Sequence, residues 1–265
     1  MKTGLIHGSF DMLEQRDVDT INLAKKECET LVVGVYSDEM YEKLKGKKPE
    51  IPFEDRKFLA ENVKGVDYVI KIDNQNDLYE NKEKLRKLLR REISDKKKRN
   101  EEKKVEKKYK TGYIQGTFDM FHRGHLNLII NTLKQCETVI VGVNSDEFVQ
   151  KRKHKVPVVP CEKRMYVVNA IKGVQEVHSM DTMDKEEIAN LYDFDVICLG
   201  DDLKGQEVYK EDLEKKLKAR GIDIIYFPYT KGVSSTALRE QLGLDEEGKP
   251  KGRDWHKANL FLFAI

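Results

Sequence analysis

The 265-residue sequence has few cysteines, no long apolar run and no excess of either charge. Its four cysteines include no C-x-x-C pair, which argues against a disulfide framework or a zinc site and favours reduced thiols. No apolar stretch approaches the roughly 20 residues that a membrane-spanning helix needs. The opening MKTGLIHGSF lacks the apolar core of a signal peptide. We therefore expect a cytoplasmic protein without a membrane span.

The charge is almost balanced, with 49 lysines and arginines against 47 aspartates and glutamates. The basic residues are interleaved with acidic ones, so the composition gives no reason to expect a nucleic-acid partner. The strongest charge run, at 95–110, is typical of a solvated helix or linker, and a nucleic-acid arm is the alternative. With 39% apolar residues, the chain is long enough for one large domain or two small ones.

The chain contains an internal repeat. With a constant offset of 108, residues 3–73 align with residues 111–181 without a gap, and roughly two positions in five are identical. A register that holds over loops and strands alike indicates a duplication. Four segments follow from this alignment: repeat one at 1–79, a charged helical linker at 80–110, repeat two at 111–242 and a tail at 243–265.

Strand and helix patterns alternate in both repeats. In repeat two, TGYIQG at 111–116 and TVIVGV at 138–143 are typical of buried strands, and HLNLIINTLKQC at 125–136 has helical apolar spacing. Repeat two continues with strands at 195–200 and 223–228, whereas repeat one runs into the charged linker. The pattern predicts an α/β protein of two tandem Rossmann-like domains with doubly wound parallel sheets, the first domain being truncated and degenerate.

The stretch GTFDMFHRGH at 116–125 lies at the first strand-to-helix turn of repeat two. A glycine there lets the backbone approach a phosphate, and the N-terminus of the following helix favours negative charge. His122 and His125 are three residues apart and share one face of that helix. Two imidazoles in this position can donate hydrogen bonds to oxygens whose charge grows during phosphoryl or nucleotidyl transfer.

Three motifs together resemble those of the cytidylyltransferase-like nucleotidyltransferases. GTFDMFHRGH matches their H-x-G-H signature, and KGVSSTALRE at 231–240 is similar to their second signature, written near R-T-x-G-I-S-T-T. GDDLKG at 200–205 looks like the G-D-D of the bacterial glycerol-3-phosphate cytidylyltransferases. The resemblance implies that an alcohol phosphate attacks the α-phosphate of a nucleoside triphosphate and releases pyrophosphate. It also implies a need for Mg²⁺, which would be bound through the triphosphate, and it assigns no protein ligand to the metal.

The resemblance also implies roles for individual residues. Four residues are expected to act in catalysis, the imidazoles as hydrogen-bond donors: His122, His125, Lys155 and Thr117. Two cations are expected to hold the acceptor phosphate: Arg164 and Lys172. The nucleotide is expected to contact residues of all three motifs: Gly116, Thr117, Phe118, Asp119, Gly124, Gly200, Asp201, Asp202, Lys231, Ser234, Ser235 and Thr236.

Several of these residues also fit a structural role. Thr117 and Asp119 are typical of a turn and helix-cap pair, and Lys155 of a solvated loop. Asp201 and Asp202 fit the cap of the next element, and SST at 234–236 fits a helix N-cap. These alternatives stay open at the level of sequence.

One position departs from the family pattern. Tyr229 stands where the family commonly has an arginine before T-x-G, so a phosphate-binding cation is missing there. Lys231 lies two residues further on, but lysine offers a point charge and not a planar fork. Tyr229 is the observation that favours a non-enzymatic nucleotide-binding protein as the alternative from another class.

Repeat one has lost the residues that carry the H-x-G-H signature. Glu14, Arg16 and Asp17 stand at the positions of His122, Gly124 and His125. Two carboxylates beside a triphosphate would repel it, by about 1–4 kcal/mol for like charges 4 Å apart.

We therefore expect repeat one to be inactive and to serve as a built-in partner, forming an intrachain pseudo-dimer in place of the homodimer common in the family. This layout is similar to that of the ethanolamine-phosphate cytidylyltransferases, and further pairing of chains into a homodimer stays open. A regulator bound to the remaining basic loop of repeat one is the competing hypothesis.

The sequence thus predicts a cytidylyltransferase that uses CTP and a small alcohol phosphate, with glycerol 3-phosphate favoured over ethanolamine phosphate and choline phosphate. The G-D-D motif at 200–202 favours the glycerol-phosphate branch. An adenylyltransferase of the same superfamily is the alternative among enzymes.

Overall fold

The computed structural model describes residues 2–74, 87, 90–91, 93–95, 106–203, 211–230 and 232–249. The strands are β1 Thr3–Gly8, β2 Thr30–Tyr36, β3 Tyr68–Ile72, β4 Tyr109–Gly116, β5 Cys136–Asn144, β6 Val174–Met180, β7 Val196–Gly200 and β8 Asp223–Phe227. The helices are α1 Gln15–Lys26, α2 Asp38–Lys45, α3 Phe53–Glu61, α4 Arg123–Gln135, α5 Asp146–Lys153, α6 Cys161–Asn169, α7 Lys185–Leu191, α8 Glu211–Ala219 and α9 Ser235–Gln241. A short 3₁₀ turn spans Asp201–Leu203.

The strands form two parallel sheets, one in each repeat. The sheet of repeat one has the order β1-β2-β3, and that of repeat two has the order β6-β5-β4-β7-β8. All the described pairings between these strands are parallel, which confirms the predicted α/β class. The buried, β-branched composition of the central strands explains why both faces are covered by helices.

The strand order of repeat two places a crevice beside β4. The chain runs outward from β4 through β5 to β6 and then returns to the other side of β4 with β7 and β8. In open α/β sheets, ligands bind outside the carboxyl ends of the strands at such a point of reversal. Gly116 ends β4 and Gly200 ends β7, so two of the predicted motifs begin at this crevice.

The two repeats pack on each other around a local two-fold axis. Val63 and Ile171, which differ by the offset of 108, form an antiparallel bridge with each other. On either side of it, the Lys64 N–H donates to the Ala170 carbonyl at 2.7 Å, and the Lys172 N–H donates to Asn62 at 2.8 Å. The helices follow the same symmetry, since α1 packs on α6 and α3 packs on α4.

A single apolar core continues through this contact. It includes Leu59 and Val63 of repeat one together with Ile129, Val168 and Ile171 of repeat two, each no more than 1% exposed. Apolar burial of this kind is the main favourable contribution to such packing, at about 25 cal/mol per Å². The repeats are therefore halves of one packed body.

Two of the predicted segment boundaries, those of the linker and of the tail, can be compared with the structure. β4 begins at Tyr109, so the end of the expected linker at 80–110 is already strand, and most of the rest of that linker lies outside the described residues. In the tail, residues 243–249 are described: Leu244 is buried, and the Val156 N–H donates to the Glu246 carbonyl. Among the helices of the described ranges, none combines the length and apolar character needed to cross a bilayer.

Candidate active site

The two histidines of H-x-G-H begin α4 at the crevice. His122 is the N-cap, and its Nδ1 accepts a hydrogen bond from the Gly124 N–H at 3.1 Å. The Nδ1 of His125 accepts from the His122 N–H at 3.5 Å. Because each Nδ1 is an acceptor, the proton of each neutral ring lies on Nε2. The helix start thus organises both imidazoles as Nε2–H donors.

Both imidazoles are neutral near pH 7. Burial lowers the pKa of His122 to about 4, and the nearby Asp55 carboxylate opposes this only in part. Burial also holds the pKa of His125 well below its usual value, and the charges of His122, Lys153 and Arg164 lower it further. Desolvation penalises the charged imidazolium, so these rings are suited to donating hydrogen bonds and not to carrying charge.

Two neighbours set the positions of the histidine rings. A Cβ on Gly124 would lie 3.0 Å from Cε1 and 3.1 Å from Nδ1 of His122, so glycine leaves the space for this ring. Phe118 has a left-handed backbone (φ 54°), and its buried ring lies 5.2 Å from that of His125. The Phe118 side chain therefore packs against His125, so an expected contact of Phe118 with the nucleotide falls to its backbone.

Arg164 is a buried clamp and does not face the crevice. Its Nε donates to the Val159 carbonyl at 2.8 Å, its Nη1 to the Thr117 carbonyl, and its Nη2 to Asp146 at 2.6 Å. The guanidinium is 2% exposed and its nitrogens are engaged, so the expected contact with an acceptor phosphate is wrong. Arg164 instead fixes the carbonyl of the turn residue Thr117.

Repeat one keeps the same clamp. Arg56 donates from Nε to the Ile51 carbonyl at 2.8 Å, from Nη1 to Ser9 at 2.6 Å and from Nη2 to Asp38 at 2.7 Å. Each partner precedes its counterpart in repeat two by 108 residues. A contact retained where the histidines are lost is required by the fold of both repeats.

The carboxylate of Asp119 is also committed to the fold. It accepts hydrogen bonds from the N–H groups of Val158 and Val159, both at 2.9 Å, and is 4% exposed. Asp11 holds the corresponding loop of repeat one through the N–H groups of Glu50 and Ile51. The Asp119 carboxylate thus fits the structural alternative of a turn residue, and the expected contact of Asp119 with the nucleotide falls to its backbone.

Lys153, and not Lys155, is the lysine near the turn formed by residues 116–119. Lys153 Nζ lies 3.5 Å from the Thr117 hydroxyl, and its charge acts on His125. Lys155 turns toward the tail and pairs with Glu246 at 3.0 Å. The reason is the end of α5, because His154 takes a left-handed conformation (φ 53°) and redirects the chain after Lys153.

Lys172 lies at the contact between the repeats. Its Nζ donates to the carbonyls of Glu61 at 2.7 Å and Val66 at 2.6 Å. The Nζ of Lys64 makes the reciprocal contacts with the carbonyls of Asn169 and Val174. The expected role of Lys172 in binding the acceptor phosphate is therefore wrong, because its ammonium group caps the end of α3.

The SST segment closes the crevice beside His122. Ser234 is the N-cap of α9 and accepts from the Ala237 N–H at 3.0 Å. The Ser235 hydroxyl donates to the Asp119 carbonyl at 2.7 Å and lies 3.4 Å from His122 Nε2. Thr236 follows in the first turn of α9. The H-x-G-H and SST motifs, more than 100 residues apart in sequence, thus meet at one point.

The G-D-D motif supports the loop that leads to α9. Gly200 ends β7, and Asp201 Oδ1 accepts from the Tyr229 N–H at 3.0 Å. The Tyr229 side chain is 53% exposed. Asp202 lies in the 3₁₀ turn with its side chain outside the described set, and Lys231 lies outside the described residues.

A polar network that the sequence did not suggest lies below the crevice. Lys185, 1% exposed at the start of α7, donates from Nζ to the side chain of Gln115. Gln115 in turn donates to Asn144 at 2.8 Å and to the Thr182 carbonyl at 2.7 Å. Burial lowers the pKa of Lys185 to about 7. The available signal was the placement of Gln115 and Asn144 at the carboxyl ends of neighbouring strands.

Repeat one keeps the backbone of the turn with different chemistry. The Glu14 N–H donates to Asp17 Oδ2 at 3.0 Å, as the His122 N–H does to His125. Burial raises the pKa of Asp17 to about 6, and Arg16 pairs with Glu14 at 3.2 Å. Where repeat two has two hydrogen-bond donors, His122 and His125, repeat one therefore has two carboxylate acceptors, Glu14 and Asp17.

The described residues do not assemble a metal-binding cluster of three or more His, Cys, Asp or Glu side chains. Asp119, the acid of the H-x-G-H turn, is occupied by two backbone N–H groups.

The family to which the sequence matches covers both repeats. The model of the cytidylyltransferase-like family matches residues 5–107 and 113–241. The chain is 32% identical over 132 residues to a glycerol-3-phosphate cytidylyltransferase of Bacillus spizizenii, which covers 48% of this chain and 92% of that protein. It is 30% identical over 141 residues to the bifunctional protein HldE of Hyphomonas neptunium. That match covers 53% of this chain but only 28% of HldE.

Solved structures show more distant likenesses. A lipopolysaccharide core biosynthesis protein from Thermoplasma volcanium is 22% identical, with a TM-score of 0.39, and covers 47% of this chain and 99% of that one. A bifunctional NMN adenylyltransferase/ADP ribose pyrophosphatase from Francisella tularensis is 17% identical, with a TM-score of 0.35. That likeness covers 58% of this chain and 49% of the Francisella chain.

Proposed function

The chain belongs to the cytidylyltransferase-like family of nucleotidyltransferases, and from that premise we propose that repeat two transfers CMP from CTP to a small alcohol phosphate. The products are a CDP-alcohol and pyrophosphate. The observation that carries this proposal is the pair of neutral Nε2–H imidazoles, His122 and His125, at the crevice beside β4. The Ser235 hydroxyl, 3.4 Å from His122 Nε2, completes a donor-rich wall.

In the proposed reaction, the triphosphate lies against the turn at Gly116 and the N-terminus of α4. An oxygen of the alcohol phosphate forms a bond to the α-phosphorus, the bond from that phosphorus to the bridging oxygen breaks, and its electron pair leaves on pyrophosphate. The Nε2–H groups of His122 and His125 donate hydrogen bonds to the oxygens that gain charge. They transfer no proton, since burial keeps the pKa of each ring low.

Two further groups support the triphosphate in this proposal. Lys153, near the Thr117 hydroxyl, supplies positive charge beside the turn. Mg²⁺ would be bound through the phosphate oxygens and would neutralise part of their charge.

Glycerol 3-phosphate is the favoured acceptor. The support is the match to nearly the full length of a glycerol-3-phosphate cytidylyltransferase, together with the G-D-D motif at 200–202. We place the reaction in the cytoplasm, with repeat one as an inactive scaffold. Tyr229, where the family commonly has an arginine, favours a second candidate: a protein that binds a nucleotide without turning it over.

The test is pyrophosphate release with Mg²⁺, using CTP and ATP against glycerol 3-phosphate, ethanolamine phosphate and choline phosphate. Mass spectrometry of the product identifies the base and the alcohol. We expect turnover with CTP and glycerol 3-phosphate and its loss in His125→Ala. Turnover with ATP alone would contradict the assignment of the base. CTP binding without turnover of any pair would favour the non-enzymatic candidate.

A further inference from the structure

Repeat one reaches the histidine turn through an ion pair between Arg123 and Asp55. Arg123, the residue between His122 and Gly124, extends from the start of α4 to α3 of repeat one. There its Nη1 lies 2.5 Å from Asp55 Oδ1, and its guanidinium lies 5.0 Å from the centre of the Phe58 ring. The Asp55 side chain is only 19% exposed, so this pair is partly shielded from water. Shielding of this kind strengthens a charge-assisted hydrogen bond.

The same repeat also contacts the helix that carries the serine motif. Gln241 at the end of α9 donates from Nε2 to Glu50 Oε2 at 2.7 Å. Leu238 of α9 lies in one apolar cluster with Ile51 of repeat one and Met120 of repeat two. Repeat one is therefore in contact with the H-x-G-H turn and with α9, the two segments that bring His122 and Ser235 together.

The ion pair breaks the symmetry between the repeats. Under the offset of 108, Arg123 and Asp55 correspond to Gln15 and Lys163, which cannot form a charge pair. On that side of the axis, Tyr166 donates from its hydroxyl to Asp19 instead, at 2.5 Å. The charge pair thus belongs to the side of the contact where the histidines are retained.

The electrostatic effect of Asp55 extends to the histidine turn. Its negative charge raises the pKa of His122 against the larger effect of burial. Asp55 itself comes from a repeat whose own turn carries Glu14 and Asp17 in place of histidines. The Asp55 carboxylate is therefore a group that repeat one adds next to the histidine turn of repeat two.

We propose that Asp55 of repeat one is a positioning residue of the nucleotidyltransferase site, which anchors Arg123 and through it the turn that presents the Nε2–H groups of His122 and His125. This proposal rests on the proposed function of repeat two. It gives the inactive repeat a defined task in the reaction, beyond covering an apolar face.

A purely structural ion pair would behave differently. Partly exposed pairs contribute little to stability, so a structural role predicts a small change in melting temperature and unchanged turnover. A positioning role predicts a fall in kcat with little change in KM for the acceptor, because donor geometry matters most in the transition state. The two roles are thus separable in the full-length protein.

The experiment compares Asp55→Asn with Asp19→Asn, which removes the negative charge of the residue that accepts from Tyr166 at the symmetry-related contact. We expect kcat to fall about tenfold in Asp55→Asn and to stay within twofold of wild type in Asp19→Asn, with similar small shifts in melting temperature. Asp55→Glu should recover most of the lost activity. Arg123→Gln should match Asp55→Asn, and the double variant should be no worse than either, because both remove one interaction.

Equal kcat values for Asp55→Asn and wild type, or additive losses in the double variant, would overturn the proposal. A readout independent of turnover is the NMR signal of the His122 ring in the protein without ligand. We expect it to shift in Asp55→Asn and not in Asp19→Asn, and an unmoved signal would contradict positioning even if no acceptor were turned over. Failure of the proposed function would instead appear as silence of the wild type across the substrate panel.

Discussion

The rings of His122 and His125 lie stacked, with centroids 3.8 Å apart and 19° between their planes. Two stacked imidazoles at this distance would repel each other if both were protonated. The backbone N–H groups at the start of α4 occupy their Nδ1 atoms, so the helix N-terminus fixes the tautomers as well as the positions. Neutral donors held in this way need no reorganisation when charge develops on a phosphate.

The first prediction concerns protonation of this pair. The C2-proton NMR signals of His122 and His125, assigned with His122→Gln and His125→Gln, should not titrate between pH 5.5 and 8. The reason is that burial lowers the pKa of His122 to about 4 and that of His125 well below its usual value.

The low pKa values of His122 and His125 should also make the stability of the fold depend on pH. In the unfolded chain these imidazoles take up protons near pH 6.5, whereas the folded state does not, so the free energy of unfolding should fall as the pH decreases below 6.5. Urea unfolding at pH 7.5 and 5.5 measures this slope, which should be smaller in His125→Gln. A titration of either ring centred near pH 6.5 would contradict the account.

The second prediction separates Lys153, the last residue of α5, from Lys155 in the loop that follows it. Lys153→Ala should raise KM for CTP about ten- to a hundredfold, because a charge-assisted contact to phosphate contributes about 1.5–3 kcal/mol. Lys155→Ala is the matched control and should change KM less than twofold, since its exposed pair with Glu246 lies away from the turn. Steady-state kinetics with varied CTP decide between them. A larger effect in Lys155→Ala would restore the expectation from the family motif.

The third prediction uses the duplicated clamp. Arg164→Lys and Arg56→Lys should each lower the free energy of unfolding by about 3 kcal/mol, because a lysine cannot replace three separate contacts of a buried guanidinium. Only Arg164→Lys should also lower kcat, by about tenfold, since it alone supports the carbonyl of Thr117.

Urea unfolding and kinetics at a temperature where both variants are folded measure these effects. Equal losses of kcat in the two variants would show that the clamp affects activity only through overall stability.

Much of the fold could be predicted from the sequence. The β-branched run at 138–143 became the central part of β5, and the helical spacing at 125–136 lies within α4 and the residue that follows it. Such local patterns are reliable because burial on one or both faces imposes them directly. The offset of 108 also holds in three dimensions, down to the reciprocal hydrogen bonds of Lys64 and Lys172.

The charged residues of the site were harder to predict. Arg164, Asp119 and Lys172 lie near the family motifs in sequence, but their side chains turn to backbone groups. The repeat did contain a signal: each has an identical counterpart in the copy without histidines, which indicates a structural role. The sequence held no such signal to show that Lys153, and not Lys155, lies near Thr117. That placement depends on the left-handed conformation of His154 at the end of α5. The Arg123–Asp55 pair depends on tertiary packing between the repeats.

The measurement that tests the central claim most directly is CTP-dependent pyrophosphate release by wild type, His125→Ala and Asp17→Ala. Asp17 occupies the position of His125 in repeat one, so the two variants make the same change in the two copies. If repeat two alone carries the reaction, Asp17→Ala should stay within twofold of wild type and His125→Ala should fall about a hundredfold or more. Full activity in His125→Ala, or a comparable loss in Asp17→Ala, would contradict the account.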